Sequence, residues 1–243
     1  MRIRYRLFLT LVLCGTLATR PYAAPRGSVD ENAGMAINQT EVLVYPFSMT
    51  LSGILSGEAR VVISVDATGQ LNDALVVGYT HAAFADAAVK ALKRWTFEPA
   101  RVHGAARASR AHVLFTFKND SGVMVQSLPG MTDATALRSG GARYIYLACQ
   151  LRDLDRIPIP VQVVPPTPAK SGLHGAKRTV TVEFYIDEEG RVRGPAIDRE
   201  EPDDAYAAAA VAAVEQWRFE PPVRKGRPVL VLARQDFNFI PKP

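Results

Sequence analysis

Apolar side chains fall on every second position at Ala59, Val61, Ile63 and Val65, and again at Val180, Val182, Phe184 and Ile186. That is the period of a half-buried strand. Each run ends in a turn, Asp66-Ala67-Thr68-Gly69 or Asp187-Glu188-Glu189-Gly190, whose glycine supplies the positive φ that such turns need. A second strand is predicted after each turn, over Leu71–Tyr79 and over residues 192–197, which makes an antiparallel hairpin. The period then changes. Phe84, Ala88, Leu92 and Trp95 are spaced by four, four and three, as are Tyr206, Ala210, Val214 and Trp217. This is one face of a helix. Alanine is dense here, Ala207 to Ala210 included, which favours helix and lets it approach a sheet closely. The prolines of Glu98-Pro99 and Glu220-Pro221 predict a helix that stops just after Trp-x-Phe. A last strand is expected over Ala111–Phe117 and over residues 229–239.

The two series are one pattern written twice. Trp95-Thr96-Phe97-Glu98-Pro99 returns as Trp217-Arg218-Phe219-Glu220-Pro221 at an offset of 122, and Gly104, Phe115 and Phe117 return at the same offset. The Asp-x-x-Gly turns are 121 apart, so one residue of slippage separates the halves of the match. A repeat of this length implies two copies of one small unit. The expected fold class is α+β: two tandem ββαβ modules, each a three-stranded antiparallel sheet with one helix packed on one face. Between them, residues 119–143 read as a Gly-, Ser- and Thr-rich loop, with a short hairpin conceivable around Pro129-Gly130. Leu154–Pro160 and Val164–Pro168 are proline-spaced and extended, running polyproline-like or as edge strands into the second copy.

The N-terminus changes the picture of charge. The chain of 243 residues has a formal net charge of +5. Arg2, Arg4, Arg6 and Arg20 fall in residues 1–24, which hold no acid, and their removal leaves 25 basic against 24 acidic residues. A near-neutral remainder has no electrostatic footprint for nucleic acid. Those arginines flank the apolar run Leu7–Ala18, and Pro21-Tyr22-Ala23-Ala24 offers small residues for cleavage. Twelve residues make a helix of about 18 Å, short of a hydrocarbon core of about 30 Å, so an export signal is favoured over an anchor. Cys14 could be read as a lipid acceptor, although Leu13 is larger than the residue that usually precedes one. Cys149 then remains alone, unable to form an internal disulfide, and reads as a small buried hydrophobe. The expected segments are 1–24 signal, 25–44 linker, 45–118 first module, 119–164 linker and 165–243 second module.

Candidate chemistry is sparse. Asp66 and Asp187 lack the further oxygens that calcium requires and read as turn caps. The four histidines have no metal-ligand spacing, and none recurs between copies, so surface or turn positions are expected. No nucleophile elbow, P-loop or other catalytic constellation occurs, and no enzyme activity, cofactor or metal is expected. The acidic run from Asp198 to Asp204 reads as a cap on the second helix, with a salt-sensitive docking patch as the alternative. Trp95 and Trp217 read as core.

Taken together, Tyr45-Pro46, Gly57-Glu58-Ala59, Asp66–Gly69 and Trp95–Pro99 in copy one resemble the TonB C-terminal domain. Copy two matches it with Gly175, Val180, Asp187–Gly190 and Trp217–Pro221, and has Thr167-Pro168 in place of Tyr-Pro. The resemblance implies a periplasmic binding module that captures extended segments of outer-membrane receptors or other envelope proteins by strand addition, in TonB-dependent transport. The alternative is a structural protein whose modules pair edge to edge. The last strand supplies the exposed edge in that family. The implied partner-binding residues are therefore Val113, Phe115 and Phe117 in copy one and Val229, Val231, Phe237 and Phe239 in copy two. Tyr45 and Pro46 match the lead-in that shapes the receptor-facing surface, which makes copy one the better expectation for recognition. Membrane association is expected only if the N-terminal segment is retained or lipidated. Self-association through the edges is the further possibility.

Overall fold

Each hairpin is closed by its aspartate. Asp66 Oδ1 accepts hydrogen bonds from the Thr68 hydroxyl (2.6 Å) and from the backbone N–H of Thr68 (2.8 Å) and Gln70 (3.0 Å). Those bonds, the Thr68 hydroxyl first, hold its carboxyl below the usual carboxylate value. Asp187 Oδ1 accepts from the N–H of Glu189 (3.1 Å) and Arg191 (2.8 Å) in the same way. Gly69 and Gly190 follow at φ +87° and +79°. The structure, a computed structural model, describes residues 34–40, 43–102, 104–119, 122–127, 143–167, 178–197 and 205–239. Residues 1–24, Cys14, His103, Pro129-Gly130, His174, Gly175 and the acidic run from Asp198 lie outside them.

Copy one comprises β1 (Ala36–Gln39), α1 (Phe47–Leu51), β2 (Ser56–Val65), β3 (Leu71–Tyr79), α2 (Ala82–Leu92), β4 (Thr96–Glu98), β5 (Ala100–Val102), β6 (Ala105–Arg107), β7 (Ser109–Lys118) and β8 (Gly122–Ser127). The linker supplies β9 (Tyr146–Leu147) and β10 (Cys149–Gln150). Copy two comprises β11 (Pro160–Gln162), β12 (Arg178–Ile186), β13 (Val192–Ile197), α3 (Ala205–Val214), β14 (Arg218–Phe219), β15 (Val223–Arg224), β16 (Arg227–Pro228) and β17 (Val231–Phe239).

The helices end earlier than the periodicity implied. α2 stops at Leu92, and Trp95 follows a turn in which its N–H donates to the Leu92 carbonyl (3.2 Å). Trp-x-Phe is itself a strand pattern: an extended chain puts Trp95 and Phe97 on one side, and both are buried. Pro99 therefore follows a strand rather than stopping a helix. β1 pairs with β4, and β11 with β14, so segments read as linkers at 25–44 and 119–164 contribute strands to the copies.

The expectation of three strands per sheet is corrected to five and four. The sheets run β8-β7-β2-β3-β9 and β10-β17-β12-β13. In each, one face carries the helix. Ala59, Val61, Ile63, Phe115 and Phe117 pack with Phe84, Ala88, Leu92 and Trp95 under α2. Val180, Val182, Phe184 and Val231 pack with Tyr206, Ala210, Val214 and Trp217 under α3, and Cys149 is buried among them. The opposite faces are not solvated. Val62, Leu75 and Val77 of the first sheet meet Tyr185 and Leu230 of the second in a third core, joined by Ala148. The arrangement is helix, sheet, sheet, helix. Arg193 of copy two binds Asp73 of copy one at 2.5 and 3.1 Å on the rim of this interface, and Arg110 donates to the Gly194 carbonyl (2.5 Å).

The linker stitches the two sheets through one extended stretch. Successive N–H groups of a strand point to opposite sides. The Ala148 N–H donates to Val77 of the first sheet and the Cys149 N–H to Leu230 of the second, both at 2.8 Å.

Candidate functional site

An exposed edge is the feature by which a small sheet takes up a peptide, and the two copies differ there. In copy one, β7 is paired on both sides: with β2 along its length, and with β8 from Val113↔Ser127 to Lys118↔Gly122. The loop reading of residues 119–143 is thus corrected at Gly122–Ser127, which folds back as a strand. In copy two, β17 pairs with β12 from Val231 to Phe239. Its other side meets β10 only at Val231 and Leu232. From Ala233 to Phe239 no strand lies beyond β17 among the described residues.

The polarity of that edge follows from one hydrogen bond. The Cys149 N–H reaches the Leu230 carbonyl, so the Leu230 backbone faces outward. Alternation with period two then turns the N–H and C=O of Leu232, Arg234, Asp236 and Asn238 outward, and those of the odd-numbered residues toward β12. Three outward residues at alternate positions, Arg234, Asp236 and Asn238, carry no backbone partner strand among the described residues. The Gln235 side chain donates to the Asp236 carbonyl (2.9 Å), a bond that an incoming strand would replace. The Thr181 and Thr179 hydroxyls donate to the side chains of Asp236 and Asn238, both at 2.8 Å, and steady the edge from the neighbouring strand.

Of the residues expected to bind a partner, Val113, Phe115 and Phe117 are buried beneath α2, and their strand has no free side. Val231 is buried and lies opposite Cys149. Val229 precedes the strand, and its N–H donates to Pro222 (2.9 Å). Phe237 and Phe239 do lie on the open stretch. They are half-buried, packed with tilted rings against Trp217 (5.6 Å between centroids) and Tyr206 (4.9 Å). The Tyr45 hydroxyl donates to the Ile54 carbonyl (2.6 Å), and its ring meets Phe84 edge-on. Pro46 precedes the first turn of α1, whose outward side chains Phe47 and Leu51 are exposed. The expectation that all histidines are at surface or turn positions holds for His81, whose ring caps α2, and fails for His112, which is buried in β7. The sequence signal missed for the open edge is the swap of His112, Leu114 and Thr116 for Arg234, Asp236 and Asn238 at the repeat offset. It marks the part of β17 that extends past the inter-sheet core.

Two tyrosines fasten the linker, Tyr144 to copy one and Tyr146 to copy two, and give the stability a pH dependence. The Tyr144 hydroxyl donates to Glu58 and accepts from Arg60 (both 2.5 Å), and the Tyr146 hydroxyl donates to Glu188 of copy two (2.8 Å). Burial first, and then the carboxylate partner, raises both phenols above their ordinary value near 10. Above that value the folded chain keeps protons that the unfolded chain has released, so stability falls as pH rises. The urea midpoint should drop between pH 9 and pH 11. The double replacement Tyr144→Phe with Tyr146→Phe should flatten that drop, and an unchanged slope would show that the phenols are not its source.

The profile of the family described as Gram-negative bacterial TonB protein C-terminal matches residues 43–118 and 165–241. No curated protein matches the chain. No helix among the described residues is long and apolar enough to cross a membrane. The two matched stretches each span a hairpin, a helix and a last strand, and together they cover more than half of the sequence: the chain belongs to the family of the Gram-negative bacterial TonB protein C-terminal.

Proposed function

We propose that the chain is a tandem of two ββαβ units acting in the periplasm, and that its second unit captures an extended segment of an outer-membrane receptor or other envelope protein by strand addition. The observation that carries this is the open stretch Ala233–Phe239 of β17, set against the same strand of copy one, which its own β8 covers. Backbone groups give sequence-tolerant affinity at such an edge, and the half-exposed Phe237 and Phe239 beside it give side-chain selectivity. Copy one then serves as a scaffold. It buries the back of the second sheet and fixes the linker that blocks the start of β17.

Calorimetric titration with peptides from receptor N-terminal segments tests capture. Hydrogen exchange at Arg234, Asp236 and Asn238 should be fast in the free protein and slow once a peptide binds. The alternative is that the same edge pairs with that of a second copy, in a structural role without energy transduction. Amides already protected in the free protein, together with a dimeric mass by light scattering, would replace the capture reading with that one.

A further inference from the structure

We propose that the extended segment from Arg152 to Val163, with the β15–β16 hairpin beside it, is a docking surface for a lipid bilayer bearing anionic headgroups. It uses none of the open β17 residues and does not depend on peptide capture. Ile157, Ile159, Val161 and Val163 are 74%, 53%, 70% and 54% exposed. Elsewhere in copy two, residues of the same kind such as Val180, Val182 and Ile186 are buried. Single exposed aliphatics are ordinary, but four on alternate positions of one segment are not. Side chains exposed to this degree stand out from the surface rather than line a groove. Pro158 and Pro160 remove two of the N–H groups that a docking strand would need, so the segment offers apolar side chains and not a backbone ladder.

Charge complementarity selects the partner. Arg152 and Arg156 enter the stripe with side chains 65% and 63% exposed. The hairpin tip adds Arg224, Lys225 and Arg227, all exposed. Asp155 holds that tip against the linker, accepting from the N–H of Lys225 (2.8 Å) and Gly226 (2.9 Å). Its carboxylate is thereby engaged with the turn, while Glu220 is paired with Arg156 (2.8 Å) and Asp153 lies 4.0 Å from Arg152. Among the described residues this segment and hairpin, with Glu220, hold five cations and three carboxylates, and all three carboxylates are engaged within the protein. Branched aliphatics beside a surplus of arginine and lysine are the composition that enters a headgroup layer: the side chains insert and the cations meet lipid phosphates.

The test uses the full chain and sucrose-loaded vesicles, either phosphatidylglycerol with phosphatidylethanolamine or phosphatidylcholine alone. The chain should sediment with the anionic vesicles, and added salt should weaken that binding. Ile157→Ser with Val161→Ser, and separately Arg152→Glu with Lys225→Glu, should each reduce binding at least tenfold. Every variant keeps residues 1–24, so the effect of the stripe is read after subtracting the binding left in a variant that combines all four substitutions. Val161→Trp gives a local readout, since brominated anionic lipid should quench its emission. Circular dichroism establishes that the variants, all at exposed positions, stay folded. Equal binding by all variants, or an unquenched Trp at 161, would overturn the proposal. So would a chain that self-associates without vesicles and is dispersed by the serine variants, because the stripe would then be an interface between copies.

Discussion

Alanine at Gly190 will destabilise the second copy by about 3 kcal/mol, read as a fall in its urea midpoint. Two causes add. Gly190 sits at φ +79°, where a side chain costs roughly 1–2 kcal/mol. A Cβ there would also collide with the carbonyl oxygen of Phe219, a backbone atom with no rotamer to escape into. Phe219 cannot retreat, because its N–H donates to the Gly190 carbonyl (2.9 Å) and Trp217 is buried two residues earlier. Gly226 provides the control. Its φ is +72°, but nothing lies within 4 Å of the added Cβ, so Gly226→Ala should show only the conformational cost of about 1 kcal/mol. Equal losses at the two positions would mean that the collision is not the cause. The same geometry in copy one brings a Cβ on Gly69 to 2.5 Å from the Phe97 carbonyl. Asp-x-x-Gly and Trp-x-Phe recur together because the turn of one motif rests on the backbone of the other.

That coupling was legible in the sequence only as co-occurrence. The hairpins, the helices and the duplication could be read directly, because period and offset report on local backbone and on buried faces. The inter-sheet core leaves a weaker trace in the sequence. Val61-Val62-Ile63, Phe184-Tyr185-Ile186 and Val229 to Leu232 are continuous apolar runs, and a strand buried on both faces has no alternation to display. Counting only the odd positions of β2 hid Val62. The helix ends were misplaced because Trp95 continues the helical spacing by chance of a turn, while Trp-x-Phe obeys the strand period. The binding edge was the least legible feature. Whether β7 or β17 is free depends on where the residues after each strand fold, and β8 carries only six residues of weak pattern. The repeat implies equal edges, and the polar residues of β17 that separate them gain meaning only beside the fold.

Proline at position 234 will weaken peptide capture about 100-fold and leave the fold intact, whereas proline at the next residue will strongly destabilise the second copy. The contrast rests on the outward turn of the Arg234 backbone and the inward turn of Gln235. At Arg234 the lost N–H has no partner among the described residues, and the pyrrolidine ring projects into the space where an added strand would lie. Prolines are tolerated on such edges, so the stability cost should stay near 1 kcal/mol. Capture should weaken about 100-fold, through one lost hydrogen bond and the displacement of those beside it. Arg234→Ala keeps the N–H and should bind nearly as well as the parent, which separates the backbone from the guanidinium and its weak 3.7 Å contact with Asp236. At Gln235 the N–H points into the ladder with Val182, so Gln235→Pro removes a bond inside the sheet and should cost about 3 kcal/mol. The two variants can be compared by urea denaturation before any ligand is found. If both unfold the protein equally, the edge is not oriented as described. If Arg234→Pro is stable and still binds peptide, capture occurs elsewhere, and the outer side of β8 becomes the edge to probe.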